Sequence, residues 1–293
     1  MTRSALRLAR RPSEKQLKLA DGGGFGAGQN IQTHPTGAHE RECVNFLVAD
    51  GAARSDGLPL TAVPHFNRVL LHLLTELTDL LRQDALFPHP ERLVHFFDNH
   101  DASRFFTDAG NSMARLKEAI GLAATLRGTP ELYSGDKIAM VGGSVPDNRR
   151  DFPGGFSSAE NPAAPSAFLA GQRTPSQQET FAWTSGLMML RKNTPALQRG
   201  AQQNLHADES AFAFVRADNL AGCSPAHDRA SILVALNKST IDRTIDLHTA
   251  GTALLGCTEF SPLAPAGMGS AQASQSAVRL AIPAESFVLF AVR

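Results

Sequence analysis

The stretch from Leu93 to Phe106, LVHFFDNHDASRFF, limits the fold more than any other. An apolar run, Leu93 to Phe97, breaks abruptly into Asp98, Asn99, His100 and Asp101, with Arg104 one turn later. A run that is apolar on both faces suits a parallel strand covered on both sides. In parallel sheets and barrels the polar residues at the C-terminal ends of strands face the site, which places chemistry at Asn99, His100 and Asp101. The same residues also read as structure alone, with Asp98 or Asn99 capping the following turn and His100 a satisfied core histidine. Spacing does not separate the two readings.

Around that stretch the periodicity is helical. Val63, Phe66, Leu70, Leu73, Leu74, Leu77, Leu80 and Leu81 define one helical face, with Pro64 in its first turn. Asn111 or Ser112 caps a second helix whose inner face is Met113, Leu116, Ile120, Ala123 and Leu126, stopped at Gly128-Thr-Pro130. Cys43 to Ala49 reads as a further buried strand, whereas Glu131 to Tyr133 is too short to be one unaided. Strand, helix, strand, helix, strand is the order of a parallel α/β unit. Pro146 to Pro175 is a long loop rich in Gly, Pro and Ser, and Gln177 to Lys192 is a third helix ending near Thr194-Pro195. Beyond it the period alternates. Phe212 and Phe214, Ile232 to Leu236, Ile241 to Leu247, Val278 to Ile282 and Phe287 to Val292 are expected strands of a small antiparallel β-domain. The expected organisation is an irregular segment, 1–42, an α/β domain, 43–199, and the β-domain, 200–293.

Lys plus Arg equals Asp plus Glu at 28 each, so no net field attracts nucleic acid or an anionic membrane, and neither is an expected partner. A neutral polyol is compatible with that balance. No apolar run approaches the ~18 residues that span a bilayer. The start, MTRSALRLARRPSEK, lacks the apolar core of a secretory signal, so export is not encoded in the chain as given and its cellular address stays open. Cys43, Cys223 and Cys257 are too few and too dispersed for a disulfide framework or a thiolate metal site. The glycine cluster Gly22 to Gly28 is followed by no Gly-Lys-Ser/Thr and makes no phosphate cradle. His95, Asp98, His100 and Asp101 are metal-ligating types, but strand alternation puts His95 and Asp98 on opposite faces, against convergence on one ion.

Several motifs carry a family resemblance. Phe96-x-x-Asn99-His100-Asp101 resembles the fourth conserved motif of the α-amylase family, glycoside hydrolase family 13. Arg127-Gly-Thr-Pro-Glu-Leu-Tyr133-Ser-Gly-Asp resembles its eighth barrel strand, and Asp147-Asn-Arg-Arg-Asp-Phe-Pro153-Gly-Gly its neopullulanase and cyclomaltodextrinase branch. Leu233-Val-Ala-Leu-Asn237 resembles its C-terminal β-sandwich. The resemblance implies the C-terminal part of a (β/α)8 TIM barrel, strands six to eight, followed by that sandwich. It implies Asp101 as the carboxylate that stabilises the transition state, His100 on hydroxyls of the sugar being cleaved, and Asn99 supporting the turn. Arg104 is expected in an ion pair with a neighbouring carboxylate or at the surface, among the substrate-binding candidates. Asp147 and Arg149 are expected to line outer glucose subsites, with solvated turn residues as the alternative. The implied substrate is an α-glucan, a maltooligosaccharide or a cyclodextrin, without a cofactor; calcium, seen in parts of the family, has no visible oxygen cage here.

The departures bear on activity. Retaining cleavage needs a carboxylate nucleophile and a carboxylic acid about 5–5.5 Å apart. The family's Gly-x-Arg-x-Asp nucleophile motif and its Glu acid have no counterpart in the sequence, and Lys137 stands where the family commonly has an acidic residue. The expectation is therefore an α-glucan hydrolase fragment that begins after the fifth strand and is inactive alone, with a homodimer expected only of the complete enzyme. The alternative is a non-catalytic remnant or weak sugar-binding module. Against a dedicated binding surface, Trp183 and Tyr133 both lie outside the β-domain.

Overall fold

In the computed structural model, which describes residues 74–154, 165–223, 231–266 and 268–293, the leucine stripe forms helix α1 (Leu74–Arg82). Its Leu74, Leu77, Leu80 and Leu81 are buried. The expected strand at Cys43 to Ala49, the glycine cluster and the start of the leucine helix lie outside the described residues. From Leu93 the chain gives a strand of two residues only, β1 (Val94–His95). Phe97 packs edge-on against Phe105 at 5.5 Å, and Asp98 turns to accept the Phe105 N–H at 2.7 Å, which ends the extended run.

A short turn, α2 (Phe105–Asp108), leads into α3 (Met113–Thr125). Ser112 rather than Asn111 is the cap: its hydroxyl accepts the Arg115 N–H at 3.3 Å, an interaction typically worth about 1 kcal/mol. Asn111 instead takes a left-handed φ of 60°. The next strand, β2 (Thr129–Pro130), starts two residues before the Glu131 to Tyr133 segment and pairs in parallel with β1. The Thr129 and Glu131 N–H groups donate to the Leu93 and His95 carbonyls at 2.8 and 2.9 Å, so Pro130 sits where no N–H is needed. Gly128, at φ 94°, permits this approach, since a Cβ there would stand 2.3 Å from the Leu93 oxygen.

Helix α4 (Pro175–Asn193) opens with Pro at its first position and a reciprocal capping box between Thr174 and Gln177. After α5 (Pro195–Arg199) the described residues form eight strands: β3 (Ala201–Ala207), β4 (Ala211–Ala217), β5 (Ser231–Asn237), β6 (Arg243–His248), β7 (Phe260–Pro262), β8 (Ser270–Ala273), β9 (Ala277–Ile282) and β10 (Ser286–Val292). They form two antiparallel sheets, of order β3-β4-β5-β10-β7 and β6-β9-β8. Alternation did not reveal β3, β7 or β8. The first is a polar edge strand whose register shifts between Asn204 and His206, the second contains a proline, and the third is Ser-Ala-Gln-Ala at an edge.

The larger sheet is covered on both faces. Phe212, Phe214, Ile232, Val234, Leu236, Phe287 and Leu289 point to the helices and share a core with Leu116, Ile120, Trp183 and Leu187. Ala213, Val215, Leu233, Ala235, Val288, Phe290 and Val292 point to Ile245, Leu247, Val278, Leu280 and Ile282 of the smaller sheet. This two-sided cover explains why β4 is buried throughout while β9 alternates. Each such Leu, Phe or Val contributes about 1.5–3 kcal/mol on burial.

The C-terminal end of α3 is closed by cationic and imidazole side chains. His95 Nε2 lies 2.8 Å from the Ala123 carbonyl, Arg191 donates to Ala124 and Leu126 at 2.9 and 3.1 Å, and Arg216 donates to Thr125 at 2.6 Å. Carbonyls that no helical N–H can reach are thereby satisfied. The cysteine reading needs correction, because Cys223 and Cys257 form a disulfide. They are 34 residues apart in sequence, but the Cys223 N–H donates to the Leu255 carbonyl at 2.8 Å and brings the two segments together. Among the described residues no helix is long and apolar enough to cross a membrane.

Candidate functional site

The turn that follows β1 is built on Asn99. Its side-chain oxygen accepts the Asp101 N–H at 2.8 Å, a local loop that swings His100 and Asp101 outward. Their side chains are 64% and 55% exposed, with His100 Nε2 at 3.4 Å from the Asp101 carboxylate. An imidazole and a carboxylate side by side at a rim can donate and accept hydrogen bonds to vicinal hydroxyls.

Residues 147–149 form a short 3-10 turn beside that rim. Arg149 donates through Nε to the His100 carbonyl at 2.9 Å and through a terminal nitrogen to Asp101 at 3.2 Å. Asn148 is fully enclosed; its side-chain nitrogen lies 3.4, 2.9 and 2.7 Å from the carbonyls of Asn99, His100 and Ala102. Asp147 is exposed and accepts from the Gly143 N–H at 2.6 Å and from Arg150 at 2.8 Å; those bonds hold its carboxyl below the usual range. Arg149 and Asp101 are thus brought together, whereas Asp147 faces Gly143 and Arg150.

Arg104 does not share the rim's exposure. It is buried, donating to the Asn148 carbonyl at 3.1 Å and pairing with Asp136 at 3.4 Å, with its guanidinium 4.4 Å from the Tyr133 ring centre. The ion pair is one of the two alternatives read from the sequence, the surface role being the other, and the Arg104 side chain is enclosed. Asp98 feels the charge of the same guanidinium, and burial pushes its carboxyl up to about 6. Burial, and then the charge of Asp98, push Asp136 well above the usual range, while Arg104 pulls both down. Both shifts favour the protonated carboxyls, and the Arg104 charge opposes them. The sequence offered Asp98 as a cap of the following turn, and its carboxylate does accept the Phe105 N–H, but Asp136, inside a quoted motif, was not named as a support of the site. Sequence reasoning also passed over Asn148, between two residues it did select.

The metal-ligating types are separated. His95 is buried on the α3 side, where burial lowers its imidazole to about 3, while His100 faces solvent. Among the described residues no group of three or more His, Cys, Asp or Glu converges on one point. Trp183 is a core residue, giving its indole N–H to the Lys117 carbonyl at 3.0 Å and meeting Phe287 edge-on at 6.3 Å. Lys137 lies over the Phe152 ring at 5.4 Å.

The fold is shared with enzymes that act as α-amylases. An α-amylase from Geobacillus thermoleovorans, solved in complex with acarbose, superposes with a TM-score of 0.61 at 21% identity, over 79% of this chain and 46% of that one. No family model matches the chain. Among curated proteins, neopullulanase 2 of Thermoactinomyces vulgaris is 30% identical over 142 residues, 47% of this chain and 21% of that protein. A cyclomaltodextrinase of Thermoanaerobacter pseudethanolicus is 27% identical over 156 residues, 53% of this chain and 23% of that protein. These likenesses to a neopullulanase and a cyclomaltodextrinase support the resemblance to the α-amylase family, glycoside hydrolase family 13. The chain spans about a fifth of the length of these curated relatives, at 21% and 23%.

Proposed function

We propose that the chain supplies the sugar-contacting edge of an α-glucan hydrolase of the neopullulanase or cyclomaltodextrinase type. Asp101 is its transition-state-stabilising carboxylate and His100 its contact to sugar hydroxyls. Asn99 and Arg149 hold these two in place, Asp147 borders an outer subsite, and Arg104 acts from below as a support. The observation that carries the reading is the exposed His100–Asp101 pair, 3.4 Å apart, on a turn secured from two sides. On this reading β1 and β2 are the seventh and eighth strands of a partial (β/α)8 barrel domain, 43–199, followed by the β-sandwich domain, 200–293.

The chain alone contacts glucan without cleaving it. Retaining hydrolysis needs two carboxyl groups about 5–5.5 Å apart across the scissile bond. The carboxyls of Asp98 and Asp136 are buried and raised by that burial, and Asp147 is engaged by Arg150 and Gly143. The test is to incubate the full chain with maltotriose, cyclodextrin and pullulan, following reducing sugar and the NMR signal of the His100 imidazole. We expect maltotriose to move that signal with no release of reducing sugar. Hydrolysis above background would overturn the inactivity, and an unmoved His100 signal would overturn the sugar contact.

A further inference from the structure

We propose that Asn148, with Arg149 beside it, is a positioning clamp that sets the conformation of the His100–Asp101 rim, and so couples the 142–149 loop to sugar contact; this rests on the reading above. The Asn148 side chain is 0% exposed, and its single amide nitrogen faces three main-chain carbonyls of one turn, those of Asn99, His100 and Ala102. A turn that irregular leaves its carbonyls without helical or sheet partners, and an enclosed amide is what satisfies them. Three carbonyls around that atom also fix it as the nitrogen, since an oxygen there would repel all three.

The clamp is anchored at its own backbone. The Asn148 carbonyl accepts from Arg104 Nε at 3.1 Å, and the Arg104 N–H returns to the Gly142 carbonyl at 3.0 Å. Thr107 accepts the Gly142 N–H at 2.8 Å. Gly142 must lack a side chain, because a Cβ would stand 2.7 Å from Asn148 Cα. Loop and turn are thus stitched along their length, and Arg149 completes the hold from outside through the His100 carbonyl and the Asp101 carboxylate. Displacing residues 148–149 displaces the two groups that meet the sugar.

The experiment labels the histidine Cε1 positions of the full chain and records their NMR signals in wild type, Asn148→Ser and Arg149→Met, with and without maltotriose. Without sugar, the His100 signal should move in both variants while those of His95 and His206, remote from the clamp, stay in place. With sugar, the maltotriose-induced shift of His100 should be lost in Asn148→Ser and reduced in Arg149→Met. A His100 signal unchanged in the folded, sugar-free variants would overturn the clamp. Should Asn148→Ser fail to fold, Arg149→Met, at a half-exposed position, decides alone. A wild-type His100 that ignores maltotriose would instead overturn the sugar-contact reading, and the sugar-free spectra would still decide the clamp.

Discussion

The guanidinium of Arg104 stands 3.4 Å from the carboxylate of Asp136 with both side chains enclosed, at 1% and 3% exposure. Removing one partner of such a pair strands the other in a low dielectric, at a cost of about 3–5 kcal/mol. Here burial already raises both Asp98 and Asp136, so they take up protons more readily once the cation is gone, which softens the loss. Arg104→Met should therefore cost about 2–4 kcal/mol at pH 7. Both carboxyls have folded values above the usual one, so their ionisation opposes folding as pH rises through about 6 and beyond. The deficit of the variant should accordingly be smaller at pH 4.5 than at pH 7 in chemical denaturation, and an equal deficit at both would contradict the upward shift of the two carboxyls.

The rim itself should behave in the opposite way. His100 and Asp101 are more than half exposed, and pairs of that kind contribute about 0–1 kcal/mol. His100→Ala and Asp101→Asn should each leave the denaturation midpoint nearly unchanged, and Asp101→Asn should abolish the maltotriose-induced shift of the His100 signal. A variant that lost stability and kept the response would assign the pair to the fold.

Where the sequence was legible, one local rule dominated. Ser112 and Thr174 start helices because the cap chemistry is contained within four residues, and the inner sheet shows itself as alternating Phe212 and Phe214. The rim was legible because Asn99, His100 and Asp101 are contiguous. What closes it was not, since Asn148 and Asp136 lie 44 and 32 residues from Arg104 and are chosen by packing rather than by spacing. The edge strand β3 failed for a related reason: Gln, Asn and His at a sheet edge are held by the neighbouring strand's register and not by an apolar period.

The Cys223–Cys257 bridge ties together two segments 34 residues apart in sequence. In the chain-entropy account a closed loop of this size stabilises by about 2–4 kcal/mol, mostly by restricting the unfolded chain. Cys257→Ser should lower the unfolding midpoint under non-reducing conditions, and reductant should lower the wild type to the same value. The His100 response should not change, because the bridge lies in the β-sandwich. Intact-mass measurement after alkylation of the unreduced, denatured protein should find a single free cysteine, Cys43; three alkylated cysteines would remove the premise.

Glu118 offers the sharpest pH test. It lies on the buried face of α3, 3.4 Å from Arg115, with Lys238 and Glu285 also acting on it. Burial, only partly offset by Arg115, pushes its carboxyl up to about 8 from an ordinary 4.5. Between those values the unfolded chain releases the proton while the folded chain keeps it. The stability tied to this group is therefore present in full below about pH 4.5 and is lost as pH rises toward 8. Glu118→Gln keeps the shape and removes the titration. The variant should match the wild type near pH 4 and exceed it by an amount on the order of 3 kcal/mol at pH 8. Parallel stability curves for the two proteins across that range would show that Glu118 ionises in the folded state at its ordinary value, and that Arg115 and Lys238 fully compensate its burial.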